Sequence, residues 1–597
     1  MQRTVKKENE FNMELDKTAI QNAQIWLNSS ISQEIKDEIK RLQTEDTAEF
    51  NDAFYKKLSF GTGGLRGIMG VGTNRMNSVV VSQSTQGFAN YILEQCKGKK
   101  EIKVAVSFDS RNNSKDFALI VAKVFAANGM KVYLFKDIHP TPLLSFAVRE
   151  LGCDAGVMLT ASHNPKEYNG YKAYWNDGGQ LVPPHDVNVI DKVNKITDIS
   201  HVKIQQGMEN ITLLDETFDG IYYKKIEDLS LATAHLETFK NIRIAYTPLH
   251  GTGYKMVPEA LRRWGFNNVI SEPEQSKPNG NFPTCLSPNP EERVALDRVL
   301  QLAEEKQCDI VLATDPDADR EALCVRNEKG EMVLLNGNQT ATLLTYYILR
   351  RNKELLRLDG QFESSKKDYF VIKTIVTSEL IKVIAQDYGV KCYDVLTGFK
   401  WIADKVLELE GKEKYIGGGE ESYGYMPSDI VRDKDAVATC CLLAEMAAWA
   451  KQQGTTLYGI LLEIYQKYGY YQESLLSIVR KGKTGAEEIE KMMSDFRNNP
   501  PKEILGQKVV KINDYEKQIS EDLQTCKQET LTLPKSNVLQ WFLKDGSKIS
   551  VRPSGTEPKI KFYFGVKCEF SFGDNFEQLQ QQALDKIEKI KQELSLF

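Results

Sequence analysis

Short apolar runs alternate with segments of helical spacing through the middle of the chain. In the first unit the pattern predicts strands over 103–111, 131–135 and 155–162, separated by helices over 114–128 and 141–152. Strands joined by helices pair in parallel, because a helix-length crossover returns the chain to the same end of the sheet. The pattern therefore predicts an α/β unit.

The same alternation returns twice further along the chain. The later predicted strands form two groups of three, at 242–248, 268–271 and 309–317 and at 368–376, 390–396 and 414–421. Three units of about a hundred residues each indicate diverged structural repeats, although they share no sharp sequence identity.

The two ends of the chain follow other patterns. Residues 14–45 have helical spacing and many charges, which predicts a helical lead-in. The alternation fades near residue 470, and Asp545-Gly546 between two apolar segments predicts a hairpin there. Residues 575–595 are predicted as a charged amphipathic helix that closes the C-terminal unit.

Each unit ends its last strand in a polar motif, and the first of these is Thr160–Pro165, TASHNP. Ser162 lies where a buried strand gives way to a loop, beside His163 and with Lys172 ten residues further on. Ligands gather at the carboxyl ends of strands in such sheets, so Ser162 is a candidate phosphoryl acceptor and donor. The alternative is a turn with a capping serine.

The second motif, Asp315–Arg320, follows the apolar run 310–313. Alternating carboxylates can turn three oxygens toward one hard cation, and this ligand set suits Mg²⁺. An EF-hand is excluded because the glycine and the distal glutamate of that loop are missing. The alternative is an acidic surface turn.

The third motif is the glycine-rich segment Gly417–Tyr425. Its carboxylate and hydroxyl groups can bind the hydroxyls of a sugar, and Arg432 and Lys434 downstream supply cations for a phosphate. A tight turn with solvated glutamates is the alternative.

Two further segments predict anion binding. Phe60–Gly67 combines backbone N–H groups with the guanidinium of Arg66, and Arg552–Lys559 combines hydroxyls, backbone donors and cations.

The composition excludes several classes of protein. The 597 residues are 41% hydrophobic and carry a net charge of -5, so nothing draws the whole chain toward nucleic acid or an anionic membrane. Ten cysteines show no CxxC pair, which indicates a reducing cytosol rather than a disulfide framework. The most apolar run, 436–450, is too short to span a membrane and contains Glu445, so it is predicted as a buried helix.

Four motifs follow one another at domain-sized spacings: TASHNP at 160–165, DPDADR at 315–320, GEES at 419–422 and RPSGTEP at 552–558. In these residues the chain resembles the α-D-phosphohexomutase superfamily, the phosphoglucomutase/phosphomannomutase enzymes, over almost its whole length. The resemblance implies an α/β fold with four domains around a central cleft: three related α/β domains with mixed sheets and a C-terminal α+β domain of different fold. The expected units are 1–45, 46–230, 231–345, 346–468 and 469–597.

The resemblance also implies roles for single residues. Ser162 would be carried as a phosphoserine, and one Mg²⁺ would be bound by a phosphate oxygen on Ser162 with Asp315, Asp317 and Asp319. Catalytic roles are expected for Ser162, His163, Lys172 and Arg66, with the acid–base group open between His163 and Lys172. Substrate contacts are expected for Arg320, Thr397, Gly398, Glu420, Ser422, Arg432, Lys434, Arg552, Ser554, Gly555 and Thr556.

The implied reaction is phosphoryl transfer within a sugar phosphate. The segment Thr397–Trp401 and the loop GEESYGY resemble the long branch of the superfamily, which contains phosphoglucomutases, phosphopentomutases and the glucose-1,6-bisphosphate synthase. We expect interconversion of glucose 1-phosphate and glucose 6-phosphate, with glucose 1,6-bisphosphate as intermediate and activator and with mannose phosphates tolerated.

Other functions remain open at this point. Phosphopentomutase, phosphomannomutase, the bisphosphate synthase and a non-catalytic sugar-phosphate-binding relative are the alternatives. A serine hydrolase is disfavoured because TASHNP is not a G-x-S-x-G elbow. The expected partners are small sugar phosphates, without nucleic acid or membrane, for a cytoplasmic monomer or weak homodimer.

Overall fold

The protein is described from a computed structural model that covers residues 14–60, 64–233, 236, 240–356, 369–480, 482–554 and 559–596. In these ranges no helix is both long and apolar enough to cross a membrane. All ten cysteines fall within them and are free thiols.

Three short helices precede the first sheet: α1 (Lys17–Asn28), α2 (Gln33–Glu45) and α3 (Thr47–Phe54). The first two lie within the helical segment predicted for 14–45, and α3 lies beyond it. Each begins at a side-chain N-cap, provided by Asp16, Ser32 and Asp46. The rings of Trp26 and Phe54 pack edge to face with centroids 5.8 Å apart. The lead-in thereby shares one hydrophobic core with the first sheet.

The first sheet has six strands in the order β1-β5-β4-β2-β3-β6. The strands are β1 (Gly64–Ile68), β2 (Lys103–Phe108), β3 (Lys131–Phe135), β4 (Ala155–Leu159), β5 (Tyr168–Trp175) and β6 (Ile211–Leu214). The helices are α4 (Ser78–Gln95), α5 (Ser114–Ala127), α6 (Thr141–Glu150), α7 (His185–Asn194) and α8 (Glu216–Glu227), with 3₁₀ turns at Ile199–His201 and Met208–Asn210. Strands β4, β2, β3 and β6 are parallel, and β5 runs antiparallel to both of its neighbours.

The second sheet has five strands in the order β11-β10-β9-β7-β8. Its elements are β7 (Ile244–Thr247), α9 (Gly253–Arg263), β8 (Val269–Ser271), α10 (Arg293–Glu305), β9 (Ile310–Thr314), β10 (Glu321–Arg326), β11 (Met332–Leu334) and α11 (Gly337–Leu356). Strands β8, β7 and β9 are parallel. Strand β10 is antiparallel to β9, and β11 is antiparallel to β10.

The third sheet has four strands in the order β13-β12-β14-β15. Its elements are β12 (Tyr369–Thr374), α12 (Leu380–Asp387), β13 (Lys391–Val395), α13 (Phe399–Leu409), β14 (Lys414–Glu420), β15 (Gly424–Met426), α14 (Ala436–Gln452) and α15 (Leu457–Tyr468). Strands β13, β12 and β14 are parallel, and β15 is antiparallel to β14.

One strand order is common to these three sheets. In each, the first of the three parallel strands (β2, β7 or β12) is central, the second and third parallel strands flank it, and the next strand returns antiparallel beside the third. The returning strands follow the loops 160–167, 315–320 and 421–423, which are too short for a helical crossover. The mixed sheets and the structural repeats predicted from the sequence are thus confirmed.

The C-terminal unit is different, because all of its strands pair antiparallel. Its elements are β16 (Tyr470–Val479), α16 (Gly482–Asn498), β17 (Glu503–Ile504), β18 (Gln507–Asp514), β19 (Ile519–Asp522), β20 (Lys527–Thr530), β21 (Leu539–Leu543), β22 (Lys548–Pro553), β23 (Lys559–Cys568) and α17 (Phe576–Glu593). The predicted hairpin at Asp545-Gly546 joins β21 to β22, and the predicted C-terminal helix is α17.

A second hydrophobic core begins on one side of the first sheet, with Ala105 and Met158, and continues through the second, third and C-terminal units. The helix α14 lies inside it and is buried from residue 436 to 450, as its composition predicted. Its one acidic residue, Glu445, accepts hydrogen bonds from the hydroxyls of Tyr347 and Ser230 and from the N–H of Leu231. These donors compensate the burial of a carboxyl group in an apolar helix.

Candidate active site

The loops that carry the three predicted motifs meet because each follows the third parallel strand of its sheet, which is β4, β9 or β14. Ser162 in the first loop donates a hydrogen bond from Oγ to Oδ2 of Asp315 in the second, at 2.6 Å. Arg320 in the second loop donates from Nη1 to the carbonyl of Ser422 in the third, at 3.2 Å. The fold therefore brings together three motifs whose contacting residues lie 153 and 102 positions apart in the sequence.

Ser162 is buried at the end of β4 and adopts a left-handed backbone conformation, with φ 52°. Its N–H donates to Oγ1 of Thr160 at 2.8 Å, which supports this unusual turn. Its Oγ lies 3.2 Å from Nδ1 of His163. The hydroxyl is thereby held between an imidazole and the carboxylate of Asp315.

Asp315, Asp317 and Asp319 form a buried cluster whose carboxylate oxygens lie within 4.8 Å of one another. Ala318 turns the chain within the cluster, with φ 48°. Among the described residues, Oδ1 of Asp317 and Oδ1 of Asp319 have no hydrogen-bond partner. Buried carboxylate oxygens without donors fit a hard cation, so this cluster could bind a metal ion.

Two lysines lie against the acidic cluster. Lys172 on β5 donates to Oδ2 of Asp317 at 2.7 Å and to Oδ2 of Asp319 at 2.8 Å, and Nζ of Lys434 lies 3.2 Å from the same oxygen of Asp319. Burial disfavours the charged lysine, but these carboxylates outweigh it and raise the pKa of Lys172. The same lysines hold the pKa of Asp319 far below its usual range despite its burial.

His163 and Arg66 lie on the cleft side of the serine. Burial and the charges of Arg320 and Arg66 lower the pKa of His163 to about 2, so its imidazole is neutral near pH 7. Arg66 lies on β1 opposite Gly170 and donates from Nη1 to Oδ1 of Asn164 at 3.3 Å. Residues 61–63 of the predicted glycine-rich loop lie outside the described residues.

The predicted sugar-binding motif is positioned by the turn before α13. The N–H of Gly398, whose φ is 117°, donates to Oε1 of Glu420 at 2.9 Å. Burial and the neighbouring Glu421 raise the pKa of Glu420 to about 7. The hydroxyl of Thr397 is buried and, within the described chain, lacks a partner. A carboxyl group beside an unpaired hydroxyl can bind sugar hydroxyls.

Arg432 and Lys434, predicted together, lie in different surroundings. Lys434 reaches Asp319 and Asp433, whereas Arg432 pairs with Glu410 at 3.0 Å and donates to the carbonyl of Asp429. The contacts of Arg432 therefore favour a role at the seam between the first and third sheets over a contact with substrate.

A cleft of about 540 Å³ opens onto these loops and is closed on its far side by the C-terminal sheet. Its lining residues are Arg66, His163, Glu291, Arg320, Asn336, Asn338, Val376, Thr397, Glu421, Ser422, Glu473, Ser474, Leu475, Arg552, Lys559, Lys561, Tyr563 and Phe564. All four sheets or their adjoining loops contribute to it. One open space thus contacts three predicted segments: the serine loop (160–165), the sugar loop (417–425) and the phosphate cradle (552–559).

The phosphate cradle starts at the end of β22. Arg552 pairs across the sheet with Lys561, and the N–H of Ser554 donates to the carbonyl of Lys559 at 2.7 Å. Burial, together with the charges of Lys559 and Arg552, lowers the pKa of Lys561. Gly555 and Thr556 lie outside the described residues, so their predicted contacts stay predictions.

The sequence reasoning missed several residues of the site. Lys561 alternates with Lys559 along β23, so a two-residue period of cations after the cradle was the available signal. Glu291 forms an ion pair with Arg320 at 2.7 Å, and Thr141 donates from Oγ1 to Oδ2 of Asp317 at 2.6 Å. Both lie far from their partners in the sequence, and no local pattern marks them.

Comparison with known proteins follows the same order of units. Residues 57–200, 221–330 and 336–468 match the phosphoglucomutase/phosphomannomutase alpha/beta/alpha domains I, II and III. The phosphoglucomutase of Staphylococcus haemolyticus is 35% identical over 547 residues, which are 91% of this chain and 96% of the relative. That of Staphylococcus aureus strain MRSA252 is 36% identical over 531 residues, which are 88% and 92% of the two chains.

Solved structures share the fold at lower identity. A phosphoglucomutase/phosphomannomutase family protein of Burkholderia thailandensis has a TM-score of 0.64 at 16% identity, covering 90% of this chain and 98% of its own. The Paramecium phosphoglucomutase pp63/parafusin, in its open form, has a TM-score of 0.63 at 18% identity, covering 90% and 96%. The chain therefore belongs to the phosphoglucomutase/phosphomannomutase family.

Proposed function

We propose that the protein is a phosphoglucomutase that interconverts glucose 1-phosphate and glucose 6-phosphate through a phosphorylated Ser162. The observation that carries the proposal is the cleft, which is lined by His163 and Arg320, the chain neighbours of Ser162 and of the acidic cluster, and by Arg552 and Lys561 of the C-terminal unit. A sugar phosphate held by its phosphate at the cationic end points its free hydroxyl toward Ser162. The relatives of 35–36% identity that span most of the chain are phosphoglucomutases, which supports glucose as the sugar.

The reaction then moves one phosphoryl group at a time. The free hydroxyl of the sugar attacks the phosphorus on Ser162, the bond from that phosphorus to Oγ breaks, and glucose 1,6-bisphosphate forms. The bisphosphate turns over in the cleft, and its other phosphate returns to Oγ. Glucose 1,6-bisphosphate is accordingly both the intermediate and the activator that charges Ser162.

The side chains around Ser162 supply proton transfer, positive charge and metal ligands. The hydroxyl proton must leave the sugar and finally reach Oγ of Ser162, and the neutral imidazole of His163 lies 3.2 Å from that atom. Lys172 and Arg66 supply positive charge on two sides of the transferring group. Asp315, Asp317 and Asp319 would hold one Mg²⁺, which supplies Lewis-acid stabilisation of the phosphoryl oxygens.

Sugar recognition falls to the third loop and to the entrance of α13. Thr397 and Ser422 line the cleft, and Glu420 lies against the backbone N–H of Gly398, so these three residues offer hydrogen-bonding groups to the hydroxyls of the sugar. The ten free cysteines support a reducing compartment such as the cytoplasm.

The test is the mass of the peptide that contains Ser162, measured before and after incubation with glucose 1,6-bisphosphate and Mg²⁺. We expect one added phosphate on Ser162, which glucose 1-phosphate discharges faster than mannose 1-phosphate or ribose 1-phosphate. The Ser162→Ala protein is the matched control and should gain no phosphate. Absence of phosphate from wild-type Ser162 with every sugar bisphosphate would contradict the proposal, and faster discharge by ribose 1-phosphate would assign a phosphopentomutase instead.

A further inference from the structure

A buried arginine behind the serine loop has no part in the reaction described above. Arg111 follows β2, the central strand of the first sheet, and its side chain is fully buried. A buried guanidinium has a large desolvation cost, so it is retained only where hydrogen bonds compensate it. Its partners therefore indicate what it holds in place.

Arg111 donates to four backbone carbonyls of the loop that carries Ser162. Nη1 donates to Pro165 at 2.9 Å and to Tyr168 at 3.1 Å, and Nη2 donates to Ser162 and Asn164. One planar fork thus gathers both sides of the turn, which a lysine ammonium could not do with the same geometry.

Arg111 is itself held from two directions. Its Nε lies 3.4 Å from the carboxylate of Asp109, which also accepts hydrogen bonds from the N–H of Arg111 and the hydroxyl of Ser114. The ring of Phe282, from the second unit, lies 5.0 Å from the guanidinium carbon. These contacts fix the plane of the fork, and through it the carbonyls of the loop.

The loop held in this way sets two features of the site. Ser162 has a left-handed backbone, which costs free energy unless the surroundings impose it. Asn164 presents its side-chain oxygen to Arg66, so the position of a cleft cation also depends on this turn. Moving the carbonyls would shift Oγ of Ser162 relative to Asp315.

In the other two repeats, the segment at the end of the central strand also donates hydrogen bonds to the polar loop of that repeat. After β7, the N–H of Thr252 donates to the carbonyl of Pro316 in the acidic loop at 2.8 Å. Gly251 lies so close that an added Cβ would be 2.3 Å from Cα of Pro316. At the end of β12, the hydroxyls of Thr374 and Thr377 donate to Glu421 in the sugar loop at 3.2 and 3.1 Å. Recurrence in three sheets argues against an accidental contact.

We propose that Arg111 is the positioning residue of the serine loop, and that it sets the rate of phosphoryl transfer by fixing Oγ of Ser162 against Asp315. The proposal rests on the proposed function for its kinetic readout. It extends that function to a residue outside the cleft, because Arg111 acts through the backbone of residues 162–168.

The experiment compares Arg111→Lys with Arg75→Lys. Arg75 is the matched control, because its fork is also buried but holds Glu49 and Asp52 of α3. We expect Arg111→Lys to lower kcat about 100-fold, with KM for glucose 1-phosphate within about twofold, because a small misplacement of a reacting group costs that much. Amide hydrogen exchange over residues 160–170 should accelerate in Arg111→Lys alone.

Several outcomes would overturn the proposal. One is wild-type kcat and wild-type exchange in Arg111→Lys, and another is an equal loss of kcat in both variants, which would indicate a general effect on stability. If Arg111→Lys does not fold, Asp109→Asn decides: we expect about a tenfold loss of kcat from a weakened charged contact, and an unchanged kcat would refute the proposal.

The exchange measurement separates this proposal from the proposed function. If the wild-type protein shows no mutase activity, the proposed function has failed, while faster exchange of residues 160–170 in Arg111→Lys would still support the positioning role. If the wild-type protein is active and exchange is unchanged, the positioning role alone has failed.

Discussion

The two ends of the cleft differ in how their charges are arranged. At the reactive end, Lys172 and Lys434 lie within 3.2 Å of carboxylates of the acidic cluster, so opposite charges are already paired. At the cationic end, Arg552 faces Lys561 across antiparallel strands, and burial together with these like charges lowers the pKa of Lys561. The first arrangement pairs opposite charges within the protein, whereas the repulsion in the second is relieved by an anion.

The backbone explains this difference. The reactive loops follow parallel strands, whose carboxyl ends meet and bring distant motifs into one buried place. The phosphate cradle follows an antiparallel hairpin, where neighbouring positions on paired strands place like side chains side by side. We therefore expect substitutions at the reactive end to change mainly kcat, and substitutions at the cationic end to change mainly KM.

The largest effect should come from Ser162→Ala. Loss of the group that carries the phosphate should lower kcat by at least about 10⁴-fold, while the dissociation constant of glucose 1,6-bisphosphate stays within about threefold. Steady-state kinetics and calorimetry measure the two quantities. Ser474→Ala, in the wall of the same cleft, is the control and should leave kcat close to wild type. An active Ser162→Ala protein would remove the basis for calling this end reactive.

The next effect concerns the acidic cluster. Asp317→Asn replaces a buried ligand oxygen by an amide, so we expect the affinity for Mn²⁺ to fall about 10- to 100-fold, as measured by electron paramagnetic resonance. Asp297→Asn on the exposed face of α10 is the control. Equal Mn²⁺ affinity in both variants would show that the cluster is not the metal site.

A smaller effect is expected at the cationic end. Lys561→Ala should raise KM for glucose 1-phosphate about tenfold with kcat within about threefold, because a charged hydrogen bond to the bound phosphate is lost. The dependence of KM on salt should also weaken. Lys544→Ala, an exposed lysine in the same unit, should change neither quantity. A large fall in kcat with unchanged KM would reverse the assignment of the two ends.

The smallest effect concerns a carboxyl group in the cationic wall. Burial raises the pKa of Glu473 from 4.5 to about 7, so between these values the folded protein binds a proton that the unfolded chain releases. The free energy of unfolding contributed by this group therefore falls as pH rises from about 4.5 to 7. The free energy of unfolding, measured in urea at pH 5 and at pH 8, should differ between the two pH values by about 1–2 kcal/mol less in Glu473→Gln than in the wild type. An identical slope in the variant would contradict the raised pKa.

Much of the repeated architecture was predictable from periodicity. The apolar runs gave the parallel strands β2, β3 and β4 and their counterparts, since buried parallel strands are continuous in hydrophobic character. The returning strands β5, β10 and β15 were not predicted individually, because a strand that follows a polar loop carries a weaker apolar pattern. The segment 60–67 is predicted as a glycine-rich loop, but residues 64–67 belong to the strand β1.

The candidate site was predictable to the extent that its residues lie in local motifs. Ser162, Asp315 and Glu420 each follow an apolar run, and this pattern predicts a polar residue at the end of a buried strand. Arg111 and Glu291 act across long sequence distances, on carbonyls and on Arg320, and such contacts depend on the tertiary arrangement. Arg432 illustrates the opposite case, because a motif placed it beside Lys434 while packing directs its guanidinium to Glu410.

The hydrogen bond from Ser162 to Asp315 has a thermodynamic consequence. An unmodified serine can donate its proton to this carboxylate, whereas a phosphorylated serine has no proton at Oγ and brings further negative charge toward Asp315. A cation between the two groups removes that repulsion, so phosphorylation and cation binding favour one another. Because such coupling is reciprocal, the bound cation should in turn stabilise the phosphorylated form of Ser162 relative to the unmodified serine.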